Sequence, residues 1–169
     1  MKVFTFLSIL LVGVVITGCS DSNIVGTYQF SRQSDESMSI IGQRTFNEDG
    51  SFETNMTMTV KEKAPFGKEN YHKFNFSFSG SYSVKDKKIS LLTDINTLKV
   101  VSEKDDYVFT GTTNRRTSDL AAEMQDNFKQ TFASEEMKEE IIEISEEQMT
   151  TKEITKEENS EVTVYKRLR

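Results

Sequence analysis

Apolar and polar residues alternate most cleanly in the middle of the chain. Phe52, Thr54, Met56, Met58 and Val60 fall on one face, and Glu53, Asn55, Thr57, Thr59 and Lys61 on the other. After a loop over 61–69 that holds Pro65 and Gly67, Phe74, Phe76, Phe78, Gly80, Tyr82 and Val84 alternate with Lys73, Asn75, Ser77, Ser79, Ser81 and Ser83. A period of two with one apolar and one polar face predicts antiparallel strands covering a core. The polar face of the second strand is rich in serine and uncharged along its middle, which is unusual for a fully solvated surface.

The same reading extends outwards. Strands are predicted over 24–30 and 38–46, with 32–37 turn-like and Gly42 weakening the second strand. Asn47-Glu48-Asp49-Gly50 is a turn, since Asn and Asp tolerate bends and Gly takes positive φ. Lys85 to Lys88 is a second tight turn, and short strands follow at 89–93, 98–102 and 107–112. From Ser118 the period changes. Leu120, Met124, Phe128 and Phe132 recur every four residues with Ala121 beside them, which predicts one amphipathic helix with a single buried stripe. Thr117 or Ser118 can cap it, and Asp119 suits its positive end. Strands resume at 138–145, 148–156 and 161–168. The last is expected to bury Val162, Val164 and Leu168, while Glu139, Glu140, Glu143, Glu146 and Glu147 read as a solvated face. Strands every 8–12 residues with hairpin turns predict a mainly β domain, an antiparallel up-and-down barrel without exposed edges, with one helix.

The first residues follow a different pattern. Met1-Lys2 is positive, and Val3 to Ile16 carries no charge. That run is shorter than the ~20 residues that span a bilayer and suits a signal-peptide core. Ile16-Thr17-Gly18-Cys19 closes it with the only cysteine of the chain. These four residues resemble the bacterial lipobox. The resemblance implies diacylglycerol on the Cys19 sulfur, cleavage before it and acylation of the new amino terminus. The organisation it implies is a signal peptide at 1–18, a lipidated tether at 19–23 and one barrel domain at 24–169. Ser20, in the position where aspartate favours the inner membrane in enteric lipoproteins, implies a bacterial cell envelope location at the outer membrane.

Composition narrows the function classes. A net charge of −6 argues against a nucleic-acid partner and against electrostatic docking on anionic lipid. With Cys19 acylated, no thiol is left for a disulfide, a metal site or a nucleophile. His72 is the only histidine, so multi-histidine and histidine-cysteine metal sites cannot be built, and it reads as an exposed structural residue. No serine has a histidine and acid to activate it, and the scattered glycines form no phosphate loop. Asp105-Asp106, Glu157-Glu158 and Arg115-Arg116 read as solvated charges. No catalytic residue, metal or cofactor is expected.

Four stretches carry a family resemblance. Gly26-Thr27-Tyr28 resembles the Gly-x-Trp start of lipocalin-like domains, with tyrosine for tryptophan. Phe46-Asn47-Glu48-Asp49-Gly50-Ser51-Phe52 resembles the Phe-x-x-Asp-Gly-x-Phe hairpin of lipocalin-like bacterial lipoproteins. Gly80 to Val84 with Ile89-Ser90-Leu91 resembles their next hairpin, and Tyr165-Lys166-Arg167 their ending. The resemblance implies a cup-shaped barrel holding a small apolar molecule, without an enzymatic role. Met56, Met58, Phe74, Phe76 and Phe78 are the candidate lining, since methionine adapts to varied apolar groups. The alternative is a barrel filled by its own side chains, which eight strands permit, acting as an envelope protein–protein interaction module. The membrane, through the anchor on Cys19, is the one partner common to both readings. A hydrolase, the third class, lacks an acid/base constellation.

Overall fold

The computed structural model describes residues 23–35, 37–63, 69–110, 113–134, 136–154 and 161–169. Cys19 and the rest of the 1–22 segment lie outside the described residues, as do Pro65, Gly67 and Glu157-Glu158.

The elements run β1 (Gly26–Asp35), β2 (Met38–Phe46), β3 (Ser51–Lys63), β4 (Glu69–Lys85), β5 (Lys88–Thr93), β6 (Lys99–Ser102), β7 (Tyr107–Thr110), β8 (Thr113–Arg116), α1 (Thr117–Ser134), β9 (Met137–Ile144), β10 (Gln148–Glu153) and β11 (Val162–Arg167). The expectation of a mainly β chain with one helix is met. Eight strands pair antiparallel in the order β1-β2-β3-β4-β5-β9-β10-β11, and β11 returns to β1. The result is a closed up-and-down barrel, which leaves no free sheet edge around its circumference. β1 runs on through residues expected to turn at 32–37, because its register with β2 continues past Gln33 as far as Asp35↔Met38.

Turn chemistry fixes the hairpins. At 47–50 the Gly50 amide donates to the Asn47 carbonyl (3.1 Å), and Gly50 sits at φ 81°. Asp86 and Lys87 both lie in the left-handed region, the two-residue turn that matches strand twist.

β4 is twice used. β3 pairs along its whole length from Glu69 to Ser81, while its other edge takes β6 at Phe74–Ser77 and β5 at Gly80–Lys85. α1 packs on β5, β6 and β8, and Gln125 accepts the Val100 amide of β6 at 3.0 Å. Leu120, Met124, Phe128 and Phe132 all pack on the barrel core, as the four-residue period predicts. Thr117 does not cap the helix with its side chain. Its hydroxyl donates to the Lys104 carbonyl (2.6 Å) and accepts the Asp106 amide (3.0 Å), tying the helix start to the preceding loop.

The closure between β1 and β11 joins two stretches that carry the family resemblance. Arg167 lies over the Tyr28 ring (5.2 Å) and donates to the Tyr28 hydroxyl (2.7 Å) and the Val25 carbonyl (2.9 Å). Gly26, at φ 142°, leaves room for that guanidinium, since a Cβ there would stand 3.2 Å from Arg167 Nε.

One face is inverted relative to the sequence reading. Thr163 and Tyr165 of β11 point inward, while Val162 is 56% and Val164 42% exposed. Leu168, expected with them, is also exposed. The physical reason is that the barrel interior at this strand is polar.

Candidate functional site

The expected apolar face is present, and its members meet in register. Met56 pairs with Phe76, Met58 with Phe74 and Thr54 with Phe78. Met58, Phe74, Phe76 and Phe78 are buried, and Met56 is half-buried. Helix side chains fill the space before them. Phe76 meets Phe128 edge-on at 5.3 Å, Phe78 meets Phe132 at 5.5 Å, and Phe128 meets Phe132 at 5.7 Å. Phe52 closes the layer against Phe78.

Beside this layer lies a polar network that the sequence reading missed. Arg44 and Glu139, 6% and 5% exposed, form an ion pair at 2.9 Å inside the barrel. Arg44 also donates to Thr54 through Nε (3.0 Å) and to the Tyr165 hydroxyl (2.9 Å). Tyr165 donates in turn to Glu139 (3.1 Å), and the Thr151 hydroxyl donates to the other carboxylate oxygen (2.6 Å). Five strands, β2, β3, β9, β10 and β11, thus each contribute one member. Arg44 is further enclosed by the rings of Phe30, Phe52 and Tyr165, 5.7–5.9 Å from its guanidinium carbon. Glu139 is therefore not on the solvated face assigned to it. Glu140, between the inward Glu139 and Ile141, and Glu143 beyond them are exposed. The available signal was parity: Arg44 lies two residues from Phe46, and Glu139 two from Ile141, on strands whose alternate positions face in.

Burial works against ionising Glu139, but the Arg44 charge and the hydrogen bonds from Thr151 and Arg44 outweigh it and hold its pKa below the ordinary value. Burial likewise opposes the Arg44 charge, and Tyr165 with Glu139 overcomes it, raising the arginine further. The Tyr165 phenol is pushed up, chiefly by burial, and stays neutral. A carboxylate depressed on folding stabilises the fold above its unfolded pKa, and that contribution disappears as pH falls through the folded value. Wild-type melting temperature is expected to fall steeply below about pH 4.3, the ordinary glutamate range. Glu139→Gln is expected to melt lower at neutral pH and to show a shallower acid limb. Parallel acid limbs in the two proteins would count against a charged, paired Glu139.

His72 is also placed differently from expectation. It is 7% exposed, on the inner face of β4, with Nε2 3.0 Å from Glu62 Oε2 of β3. Its strand parity with Phe74 carries it inward, and the carboxylate satisfies the ring there. Among the described residues no three His, Cys, Asp or Glu side chains come together as a metal would require.

Among the described residues two hollows stand out on the outer wall. One, of about 440 Å³, lies around Gly80 and mixes serines with Glu53 and Asp94. The other, of about 470 Å³, lies across β1, β2, β3, β4 and β6. Register lines up one rung there as Gln29, Gln43, Asn55, Ser77 and Lys99. The adjacent outward rung is Ser31, Ile41, Thr57, Asn75 and Val101. Met56 and Phe76 form part of the floor beside Gly42. A Cβ at Gly42 would stand 2.6 Å from Phe30 Cζ and 2.7 Å from Met56 Cβ, so the glycine that weakened the sequence pattern admits the Phe30 ring.

No protein-family model matches the chain, and no curated protein is significantly similar to it in sequence. The functional reading therefore rests on the chain's own residues.

Proposed function

We propose that the protein is a non-enzymatic lipoprotein of the bacterial cell envelope, outer-membrane anchored through Cys19, with a lipocalin-like barrel that serves as a rigid scaffold and makes its contacts through its outer surface. One observation carries the outward reading: among the described residues, packed rings and a buried ion pair stand inside the barrel. The Phe76–Phe128 and Phe78–Phe132 contacts fill one part, and the Arg44–Glu139 pair fills another. An ion pair hydrogen-bonded to Thr54, Thr151 and Tyr165 makes a poor lining for an apolar guest. The anchor reading rests on the lipobox resemblance. Ile24 is already part of the core, so the tether from Cys19 spans at most about 17 Å at full extension. That sets the Gly26–Arg167 end of the barrel toward the membrane and leaves its wall accessible.

A second reading, a barrel binding a small apolar molecule, has one feature in its favour. Met56 and Phe76, two of its candidate lining residues, reach the floor of the outer hollow. Two measurements on the protein isolated from its membrane test the proposal. Mass spectrometry is expected to give a mature chain starting at Cys19 and carrying acyl groups, and Cys19→Ala is expected to leave the membrane fraction. An unmodified thiol at Cys19 sinks the anchor. An organic extract is expected to contain no apolar compound in amounts matching the protein, and a stoichiometric one would favour the second reading.

A further inference from the structure

We infer that the two outward rungs across β1, β2, β3, β4 and β6 are a binding site for a linear neutral glycan, an inference that rests on the outer-surface reading above. In a chain whose residues are 28% charged, Lys99 is the only charge among their ten positions. Charge returns on the rungs to either side, with Glu53 on one and the Lys73–Glu103 pair on the other. The stripe is thus a neutral band on a charged wall.

Its side chains determine what it can hold. Gln29, Gln43, Asn55 and Asn75 each offer a donor and an acceptor, and Thr57 and Ser77 add hydroxyls. Thr57 donates to Asn75 Oδ1 (2.8 Å), which leaves the Asn75 amide group free to donate outward. Among the described residues Gln29, Gln43 and Asn55 have no side-chain hydrogen-bond partner. Ile41 and Val101, each 55% exposed, stand on one rung with Thr57 and Asn75 between them, giving C–H surfaces that flank the polar groups.

Other partners fit worse. A nucleic acid or an anionic lipid needs several cations, and the stripe has one. A protein partner is usually gripped by exposed aromatic or arginine anchors, and neither residue type stands on these rungs. A hydroxyl-rich neutral chain matches on both counts, since sugars donate and accept equally and present C–H faces between hydroxyls. Strands repeat every 4.7–4.9 Å across the rungs, close to the length of one sugar ring along an extended glycan. The hollow's volume also lies within the ordinary range of ligand sites, roughly 300–1,000 Å³.

The test uses the mature lipoprotein in phosphatidylcholine nanodiscs, titrated with cellohexaose, maltohexaose and chitohexaose by calorimetry and by NMR of the backbone and side-chain amides. At least one sugar is expected to bind and to shift the Gln43, Asn55 and Asn75 amide signals. Gln43→Ala/Asn55→Ala, at exposed positions, is expected to weaken binding roughly tenfold at unchanged melting temperature. Binding by none of the three, shifts on another part of the outer wall, or equal binding by the double variant would overturn the site while leaving the outer-surface reading standing. Sugar-induced shifts confined to the interior around Phe74 and Phe76 would overturn both. Shifts at these rungs that follow protein concentration without sugar would show that a second copy covers the stripe, and would also overturn the glycan assignment.

Discussion

Arg44→Met is expected to destabilise the barrel by about 3–5 kcal/mol, the usual cost of removing one partner from a buried ion pair. Glu139 would remain, 5% exposed, with Tyr165 and Thr151 donating to it but no opposite charge beside it. Thr54 would lose its Arg44 donor, and the rings of Phe30, Phe52 and Tyr165 would lose the cation they enclose. Single domains are stable by only about 5–15 kcal/mol, so the variant would sit near the limit of folding. Arg44→Met/Glu139→Met is expected to recover part of the loss, because replacing both partners removes the uncompensated charge as well as the attraction. Urea denaturation of the wild type, both single variants and the double variant reads this as a coupling energy. Additive losses in the double variant would show that the pair does not act as a unit.

Phe76→Ala is expected to cost about 3–5 kcal/mol, the range for deleting a buried aromatic ring, and to lower the melting temperature by about 10 °C or more. Phe76 is buried, stands across from Met56 and meets Phe128 of the helix edge-on. Removing it opens space on the helix side as well as in the sheet. Phe128 belongs to the helix stripe that rests on the core, so part of the loss is expected as fraying of the helix, seen by circular dichroism at 222 nm. Met56→Ala, half-buried at the floor of the outer hollow, is expected to cost distinctly less. A Phe76→Ala loss as small as that at Met56 would mean that the ring faces empty space.

The fold was legible where the interior is apolar. On β3 and β4 most inward positions are phenylalanine, methionine or valine, with Thr54 and His72 the polar ones, so alternation in sequence and burial largely coincide. The helix was legible for the same reason, through Leu120, Met124, Phe128 and Phe132. On β9, β10 and β11 the inward positions include Glu139, Thr151, Thr163 and Tyr165, and hydrophobicity then marks the wrong face. A register shift between Thr150 and Thr151 adds to this, leaving Ile142 unpaired with β10 and exposed. Arg44 and Glu139 are 95 residues apart, and each alone looks like a surface charge. Only the closure of the barrel brings them together. The outer rungs were legible in half: the neutral polar face of β4 stood out in the sequence, but its alignment with Gln29, Gln43 and Ile41 depends on register across three strand pairs.

A self-filled interior is the central claim, and an apolar probe tests it most directly. N-phenyl-1-naphthylamine would be titrated into the unacylated chain from Ser20 onward, so that no lipid anchor contributes signal. The filled barrel predicts no saturable rise in fluorescence at protein concentrations up to about 100 μM, well above the micromolar range of a moderate apolar site. Saturable binding of one probe per chain, displaced by a fatty acid and altered by substitution at Met58 or Phe74, would contradict it and establish an apolar cavity in its place.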